Sequence, residues 1–197
     1  EICLRIKDDA VRYFSGMFEQ TESEATWLMH KYASPDATKK ASFKMKREGE
    51  FTAIRADIFP GFSLNRALGI TKIDEDFLGM IEDFYKGKPG KFALQIPPDL
   101  LNEETTRLLE SRGYTYANSW VTFYKDSSPI QTRGTDLEIK EIGKERSKEF
   151  AYILNEVFDF PHEFDNIAAS SVGEKECVTF MASDNGKPVG SAGIYIT

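Results

Sequence analysis

Cysteine and histidine are scarce in this chain, and their scarcity excludes several classes of protein. Two residues of each type occur among 197, too few for a disulfide framework or a structural zinc site. Cys3 and Cys177 lie far apart in apolar surroundings, so we expect both to be buried thiols. The sequence also contains no P-loop, G-x-S-x-G motif or dinucleotide-binding fingerprint. It therefore predicts no metal and offers no catalytic signature.

Long apolar runs and an excess of positive charge are missing as well. No stretch approaches the roughly 18 apolar residues of a membrane span, and Glu1–Ala10 lacks the layout of a signal peptide. The net charge is −7, whereas neutralising nucleic-acid phosphates requires clustered Lys and Arg. We therefore expect no nucleic-acid partner, no membrane partner and a cytoplasmic location.

Hydrophobic periodicity predicts helices and strands that alternate along the first two thirds of the chain. Helical spacing marks Asp9–Gln20, Trp27–Tyr32, Asp74–Tyr85 and Asn102–Arg112. Strand-like composition marks Phe51–Phe59, Phe62–Ile70, Phe92–Ile96 and Tyr114–Tyr124, the first two joined through Pro60-Gly61 as a hairpin. We interpret Ser34-Pro35-Asp36 as a turn.

The last third has the order strand, helix, short helix and hairpin. These elements are predicted at Leu137–Ile142, Lys144–Phe158 and Glu163–Ser171, with hairpin strands Val178–Ala182 and Pro188–Ile196 around Asp184-Asn185-Gly186. A polar stretch without periodicity, Lys125–Thr135, precedes them. We therefore predict a first domain at 1–126, a linker at 127–135 and a second domain at 136–197. The fold class is α+β, with mixed, mostly antiparallel sheets flanked by helices in two lobes.

Two short segments of the first domain resemble sequence motifs of the GNAT superfamily of N-acyltransferases. Thr106–Tyr114 (TRLLESRGY) is similar to the last helix of a GNAT domain and the start of the strand after it. Asn118–Asp126 (NSWVTFYKD) resembles a subgroup of tandem proteins in which a degenerate GNAT-like domain precedes the catalytic one. In the second domain, Leu137–Ile142 resembles the opening GNAT strand and Cys177–Thr197 its central hairpin.

The resemblance implies an N-acetyltransferase that moves an acetyl group from the co-substrate acetyl-CoA to an amine acceptor, a small molecule or a peptide. The first domain differs from the family pattern at one point. Its segment Phe62–Ile73 (FSLNRALGITKI) lacks the Q/R-x-x-G-x-G/A loop that holds the coenzyme A pyrophosphate in this family. The second domain stops before that motif, so we expect the chain to be incomplete and inactive alone. Catalytic and cofactor-binding residues are therefore left unassigned.

The candidate substrate-binding residues are Phe158, Phe160, His162 and Glu163, between the two helical stretches of the second domain. Aromatic rings and carboxylates suit an organic cation such as an amine. His162 is also a general base by residue type. The competing interpretation is a helix–helix connection with core phenylalanines and solvated acids.

Other candidates have simpler structural interpretations. We interpret His30 as incidental, Asn65-Arg66 as strand residues with a solvated edge charge, and the paired aromatics Trp120, Phe123 and Tyr124 as core. The basic run Lys39, Lys40, Lys44, Lys46 and Arg47 is interpreted as a solvated hairpin flank.

Two alternatives to a catalytic monomer remain open at this point. The degenerate fold is also compatible with a non-catalytic module that binds a ligand or a protein. In addition, the open edge of the last predicted strand allows a homo-oligomer.

Overall fold

A computed structural model describes residues 8–119 and 134–196. These residues form a mixed α+β structure, which confirms the predicted fold class. The helices are α1 (Asp8–His30), α2 (Pro35–Lys40), α3 (Glu75–Tyr85), α4 (Glu103–Ser111), α5 (Ser147–Phe158) and α6 (Asp165–Ala168). The strands are β1 (Phe43–Glu48), β2 (Phe51–Ala56), β3 (Asn65–Leu68), β4 (Ala93–Leu94), β5 (Glu138–Ile142), β6 (Cys177–Asp184) and β7 (Lys187–Tyr195).

The first sheet has the strand order β1-β2-β3-β4. Its first three strands are antiparallel, with Thr52 opposite Leu68, so the predicted hairpin is present with shorter strands. Strand β4 pairs parallel to β3, with Arg66 opposite Ala93, and α3 makes the crossover between them.

Helices cover both faces of this sheet, because successive residues of a strand point to opposite sides. On one side, Ala53 and Ala67 pack with Leu78 and Ile81 of α3. On the other side, the neighbouring Ile54 packs with residues of α2 and β1. The first half of the chain is therefore a three-layer arrangement.

The second sheet is antiparallel, with the order β5-β6-β7. Asn185 and Gly186 at its hairpin turn have φ angles of 49° and 80°, the positive values that a two-residue hairpin turn requires. Ile142 and Met181 of this sheet pack against Phe150 of α5.

The two halves share a hydrophobic cluster. Phe164 and Ile167, from the second half, are 2% and 1% exposed and pack with Phe43 and Ile54 of the first sheet. Glu176 also pairs with Lys31 at 3.5 Å and accepts a hydrogen bond from the Tyr32 hydroxyl. Most of the predicted linker lies outside the described residues, and the domain boundary remains a prediction.

Four elements differ from the sequence-based expectations. The two predicted N-terminal helices form one 23-residue helix, α1. The predicted turn at Ser34 instead begins α2, because the Ser34 hydroxyl accepts a hydrogen bond from the Ala37 N–H and Pro35 suits the first helical turn. Strand β1 was not predicted. Residues 114–119 are not strand, and the rest of that predicted strand lies outside the described residues.

Among the described residues, no helix combines the length and apolarity required to cross a membrane.

Candidate ligand-binding surface

The chain reverses direction sharply at the end of α5, which gathers the predicted site residues. Asp159 adopts a left-handed conformation (φ 53°) and ends the helix. The Asn155 carbonyl accepts hydrogen bonds from the Asp159 and Phe160 N–H groups, the latter at 2.9 Å. Pro161 then introduces the 3₁₀ turn His162–Phe164, which leads directly into α6.

Aromatic rings extend from solvent into the shared cluster at this turn. Phe158 is 57% exposed and stacks on Phe160, with ring centroids 5.5 Å apart. Phe160 meets Phe59 of the first half edge to face at 5.3 Å. Deeper in, Phe164 meets Phe43 edge to face at 5.7 Å. Phe160 therefore fixes the surface ring of Phe158 to the first half of the protein.

His162 lies on the surface between two carboxylates. Its Nε2 is 3.7 Å from the Glu156 carboxylate, and its Nδ1 is 3.6 Å from that of Asp165. The Tyr152 ring is nearly parallel to the imidazole, with centroids 6.1 Å apart and an interplanar angle of 8°. Exposed aromatic faces beside carboxylates form a surface suited to an organic cation.

Asn155 positions one of these carboxylates. It is 1% exposed, and its side-chain amide donates a 2.6 Å hydrogen bond to Asp165 Oδ1. The Asp165 carboxylate that faces His162 is therefore held by a buried partner, whereas the Glu156 side chain is exposed. A buried amide bonded to an anion contributes about 1.5–3 kcal/mol in favourable cases.

The structure places the four predicted binding residues in one turn, with unequal roles. Phe158 and Phe160 are in direct contact, and Phe160 also packs across the two halves. His162 contacts carboxylates rather than an enclosed polar group. Glu163 is exposed, and no hydrogen bond or ion pair involving it is found within the described part of the chain.

Sequence reasoning did not single out Tyr152, Glu156 or Asn155. The signal for the first two was present, since residues four apart on a helix lie on one face and Tyr152 and Glu156 have this spacing on α5. No comparable signal marks Asn155, because its importance depends on contact with α6, which only the fold establishes.

The interpretation of Arg66 as an edge charge is wrong. Strand β3 lies between β2 and β4, and Arg66 pairs with Glu22 of α1 at 3.0 Å. Gln95, the residue directly after β4, joins this network by donating to Glu22 at 2.6 Å. Glu19, also in the network, is partly buried, and burial raises the pKa of its carboxyl.

Asn65 and His30 are buried structural residues. Asn65 is fully buried and makes three hydrogen bonds to the β2–β3 connection. His30 is 6% exposed, its Nδ1 is 2.7 Å from the Thr26 carbonyl oxygen, and its ring stacks on Phe43. Trp120, Phe123 and Tyr124 lie outside the described residues.

The basic run is divided between two elements: Lys39 and Lys40 end helix α2, whereas Lys44, Lys46 and Arg47 lie on strand β1 of the hairpin. Lys46 pairs with Glu48 at 3.0 Å, and the Arg47 guanidinium pairs with Glu24 and lies 5.3 Å from the Trp27 ring centroid. These contacts pair the last two cations of the run with carboxylates.

The N-termini of α3 and α4 are not suited to a pyrophosphate. The Asp74 carboxylate already accepts the Phe77 N–H at 2.9 Å, and Glu75 and Asp76 follow it. Asn102 caps α4 in the same way, ahead of two glutamates. Negative charge in a first turn opposes a second anion, so neither helix N-terminus favours a pyrophosphate.

Two surface clefts stand out elsewhere in the described structure. Gly143, Gly173 and Cys177 line part of one, and Asp36, Lys39 and Asn166 line part of the other. Cys177 is a buried free thiol, as predicted, and burial raises its pKa, while Cys3 lies outside the described residues. Within residues 8–119 and 134–196, no group of three or more His, Cys, Asp or Glu side chains is arranged to hold a metal ion.

Comparison with protein-family models, curated proteins and solved structures finds no match to this chain.

Proposed function

We propose that this chain belongs to an N-acetyltransferase that uses acetyl-CoA, and that the turn after α5 binds the amine acceptor. The observation that carries the proposal is the order of elements. Strand, helix, strand and helix follow one another as β3, α3, β4 and α4, and the second half adds β5, α5, α6 and the β6–β7 hairpin. The GNAT resemblance implies this order, with one further strand after α4 that residues 114–119 do not form.

The chemistry of the turn supports its role in acceptor binding. An amine reaches an acetyltransferase as an ammonium ion, so its binding site needs negative charge near a surface for the rest of the molecule. Glu156 and Asp165 supply two carboxylates on either side of His162. Tyr152 supplies a ring nearly parallel to the His162 imidazole, and Phe158 is an exposed ring in the same turn.

A second candidate function, a non-catalytic binding module, is favoured by a different observation. The acidic first turns of α3 and α4 oppose pyrophosphate binding, and we assign no described residue to the acetyl donor. A module of this kind would use the aromatic and acidic turn for recognition alone.

A coupled measurement distinguishes the two candidates. The chain is titrated with acetyl-CoA by calorimetry, and thiol release is then followed with a panel of primary amines. Because the resemblance implies that the chain alone is inactive, the same assay is run on a form extended beyond Thr197. In that form we expect saturable binding of acetyl-CoA and amine-dependent release of coenzyme A, with a higher KM for the amine in the Glu156→Gln variant. Glu104→Gln, an exposed acid on α4, is the matched control and leaves KM unchanged. Absence of both acetyl-CoA binding and turnover in the extended form would overturn the acetyltransferase and leave the binding module.

A further inference from the structure

The end of α5 exposes more apolar surface than a small amine needs. Val157 is 73% exposed and Phe158 is 57% exposed, on consecutive positions. The first half adds Ile58 and Phe62, which are 37% and 38% exposed and flank Phe59 in sequence. We call Ile58, Phe59, Phe62, Val157, Phe158 and Phe160 the junction patch. The edge-to-face contact between Phe59 and Phe160 connects its two sides.

The second-half side of this patch is strongly acidic. Segment 149–165 contains five carboxylates and no Lys or Arg. Glu149 is paired with Arg146 at 2.7 Å. The four other acids of the segment are Glu156, Asp159, Glu163 and Asp165. Since His162 is the segment's only basic residue, a positively charged partner is favoured there.

The patch presents apolar side chains to solvent, since Ile58, Phe62, Val157 and Phe158 are all exposed. The two surface clefts named above, in the described part of the chain, include none of its residues. Small-molecule sites are concave, whereas protein interfaces combine an apolar, aromatic centre with a polar rim. Exposed apolar surface bordered by charge is the usual mark of a protein contact.

We propose that the junction patch binds a peptide segment in which apolar side chains stand next to Lys, Arg or a free amino terminus. The apolar side chains contact Phe158, Val157 and Phe62, and the cationic groups face the carboxylates of segment 149–165. This inference rests on the proposed function in one respect, since it makes the acceptor amine part of a peptide or protein. Binding itself does not require acetyl-CoA.

Fluorescence anisotropy with three labelled peptides of equal length tests the proposal. The first alternates Leu and Lys in a helical pattern, the second replaces Lys with Glu, and the third replaces Leu with Ser. We expect saturable binding of the Leu/Lys peptide alone, weakening as salt is raised. Phe158→Ser should weaken it by about tenfold or more, equivalent to about 1.4 kcal/mol.

Matched variants separate the patch from general surface effects. Leu101→Ser removes an apolar side chain of similar exposure, 51%, at the start of the α4 segment and should change Kd by no more than about twofold. Glu156→Gln with Glu163→Gln should weaken binding and reduce its salt dependence, whereas Glu104→Gln should not. Circular dichroism spectra that match the unsubstituted protein establish that each variant is folded.

Several results would overturn the inference. Equal binding of the Leu/Glu peptide, equal effects of Phe158→Ser and Leu101→Ser, or no binding of the Leu/Lys peptide would each do so. Acetylation of free amines without peptide binding would support the acetyltransferase and overturn the proposal that the acceptor amine belongs to a peptide. Peptide binding without any use of acetyl-CoA would support the junction patch as a peptide-binding surface and overturn the acetyltransferase proposal.

Discussion

His30 is an enclosed titratable side chain in the first half of the protein. Burial lowers the pKa of its imidazole to about 4, and the hydrogen bond with the Thr26 carbonyl only partly opposes this effect. The ring is therefore neutral at pH 7 and packs as an aromatic residue against Phe43. Protonation of this ring in acid therefore destabilises the folded protein.

We expect His30 to make the protein less stable as the pH falls from about 6.5 to about 4. The unfolded chain binds a proton near pH 6.5, whereas the folded chain does not until about pH 4. The stability contributed by the neutral ring is therefore complete above pH 6.5, and about 3 kcal/mol is lost across this window. Urea unfolding of the unsubstituted protein and of His30→Phe at several pH values measures the difference. Parallel pH profiles would contradict the prediction.

Asn65 holds the β2–β3 connection with a single side chain. Its Oδ1 accepts the Ala56 N–H at 2.8 Å, and its Nδ2 donates to the carbonyls of Phe59 and Gly61 at 2.7 and 2.8 Å. The connection cannot satisfy these groups internally once the amide is removed.

Asn65→Ala should lower the free energy of unfolding by about 3–5 kcal/mol, because three buried hydrogen bonds are lost together. Urea denaturation measures the loss. Asn118→Ala, at an exposed position, is the matched control and should stay within about 0.5 kcal/mol. A comparable small effect at Asn65 would show that water replaces the side chain without cost.

At the scale of elements, α4 depends on a reciprocal cap. The Thr105 N–H donates to Asn102 Oδ1 at 3.0 Å, and the Asn102 N–H donates to the Thr105 hydroxyl at 3.0 Å. This pair satisfies two N–H groups that the helix leaves without partners.

Asn102→Ala should therefore destabilise the protein by about 1 kcal/mol, and Asn102→Asp should restore most of the loss. Thermal unfolding followed by circular dichroism at 222 nm measures both changes. Equal midpoints for the alanine and aspartate variants would argue that capping is unimportant here.

Elements with clear end signals could be predicted from the sequence, and elements without them could not. Helices α3 and α4 were predicted within a residue or two of their ends, because Asp74 and Asn102 cap them and their apolar residues repeat at helical spacing. Strand β1 was missed because Lys44, Lys46 and Arg47 make it look like solvated loop. Its strand conformation comes from pairing with β2 along its full length.

The candidate site was predicted only in part, because local sequence marks some of its residues and tertiary contact determines the others. Phe158, Phe160 and His162 lie in a conspicuous aromatic and acidic run, which composition reveals. Their partners depend on tertiary contact: Phe59 reaches Phe160 from about 100 residues away, and Asn155 acts through α6. No local pattern encodes either contact.

At the scale of the whole molecule, the shared cluster joins the two halves. Phe164 is 2% exposed and packs with Phe43 and Ile54 of the first sheet, although it comes from the second half. Neither half buries this cluster alone.

Phe164→Ala should cost about 3–5 kcal/mol and destabilise both halves together. Hydrogen exchange detected by mass spectrometry, read separately in β2 and β6, measures this coupling. Phe158→Ala, at an exposed position in the same turn, should change protection little in either strand. Loss of protection confined to the second half would show that the halves unfold independently.

The cluster also affects how the chain is made. Phe43 and Ile54 leave the ribosome long before Phe164 and Ile167, with more than 100 residues synthesised in between. At 5–20 residues per second this interval is on the order of ten seconds. During it, the nascent first sheet carries an uncovered apolar face. Chaperone demand should therefore be highest between the emergence of β2 and that of α6, and should fall once α6 has emerged.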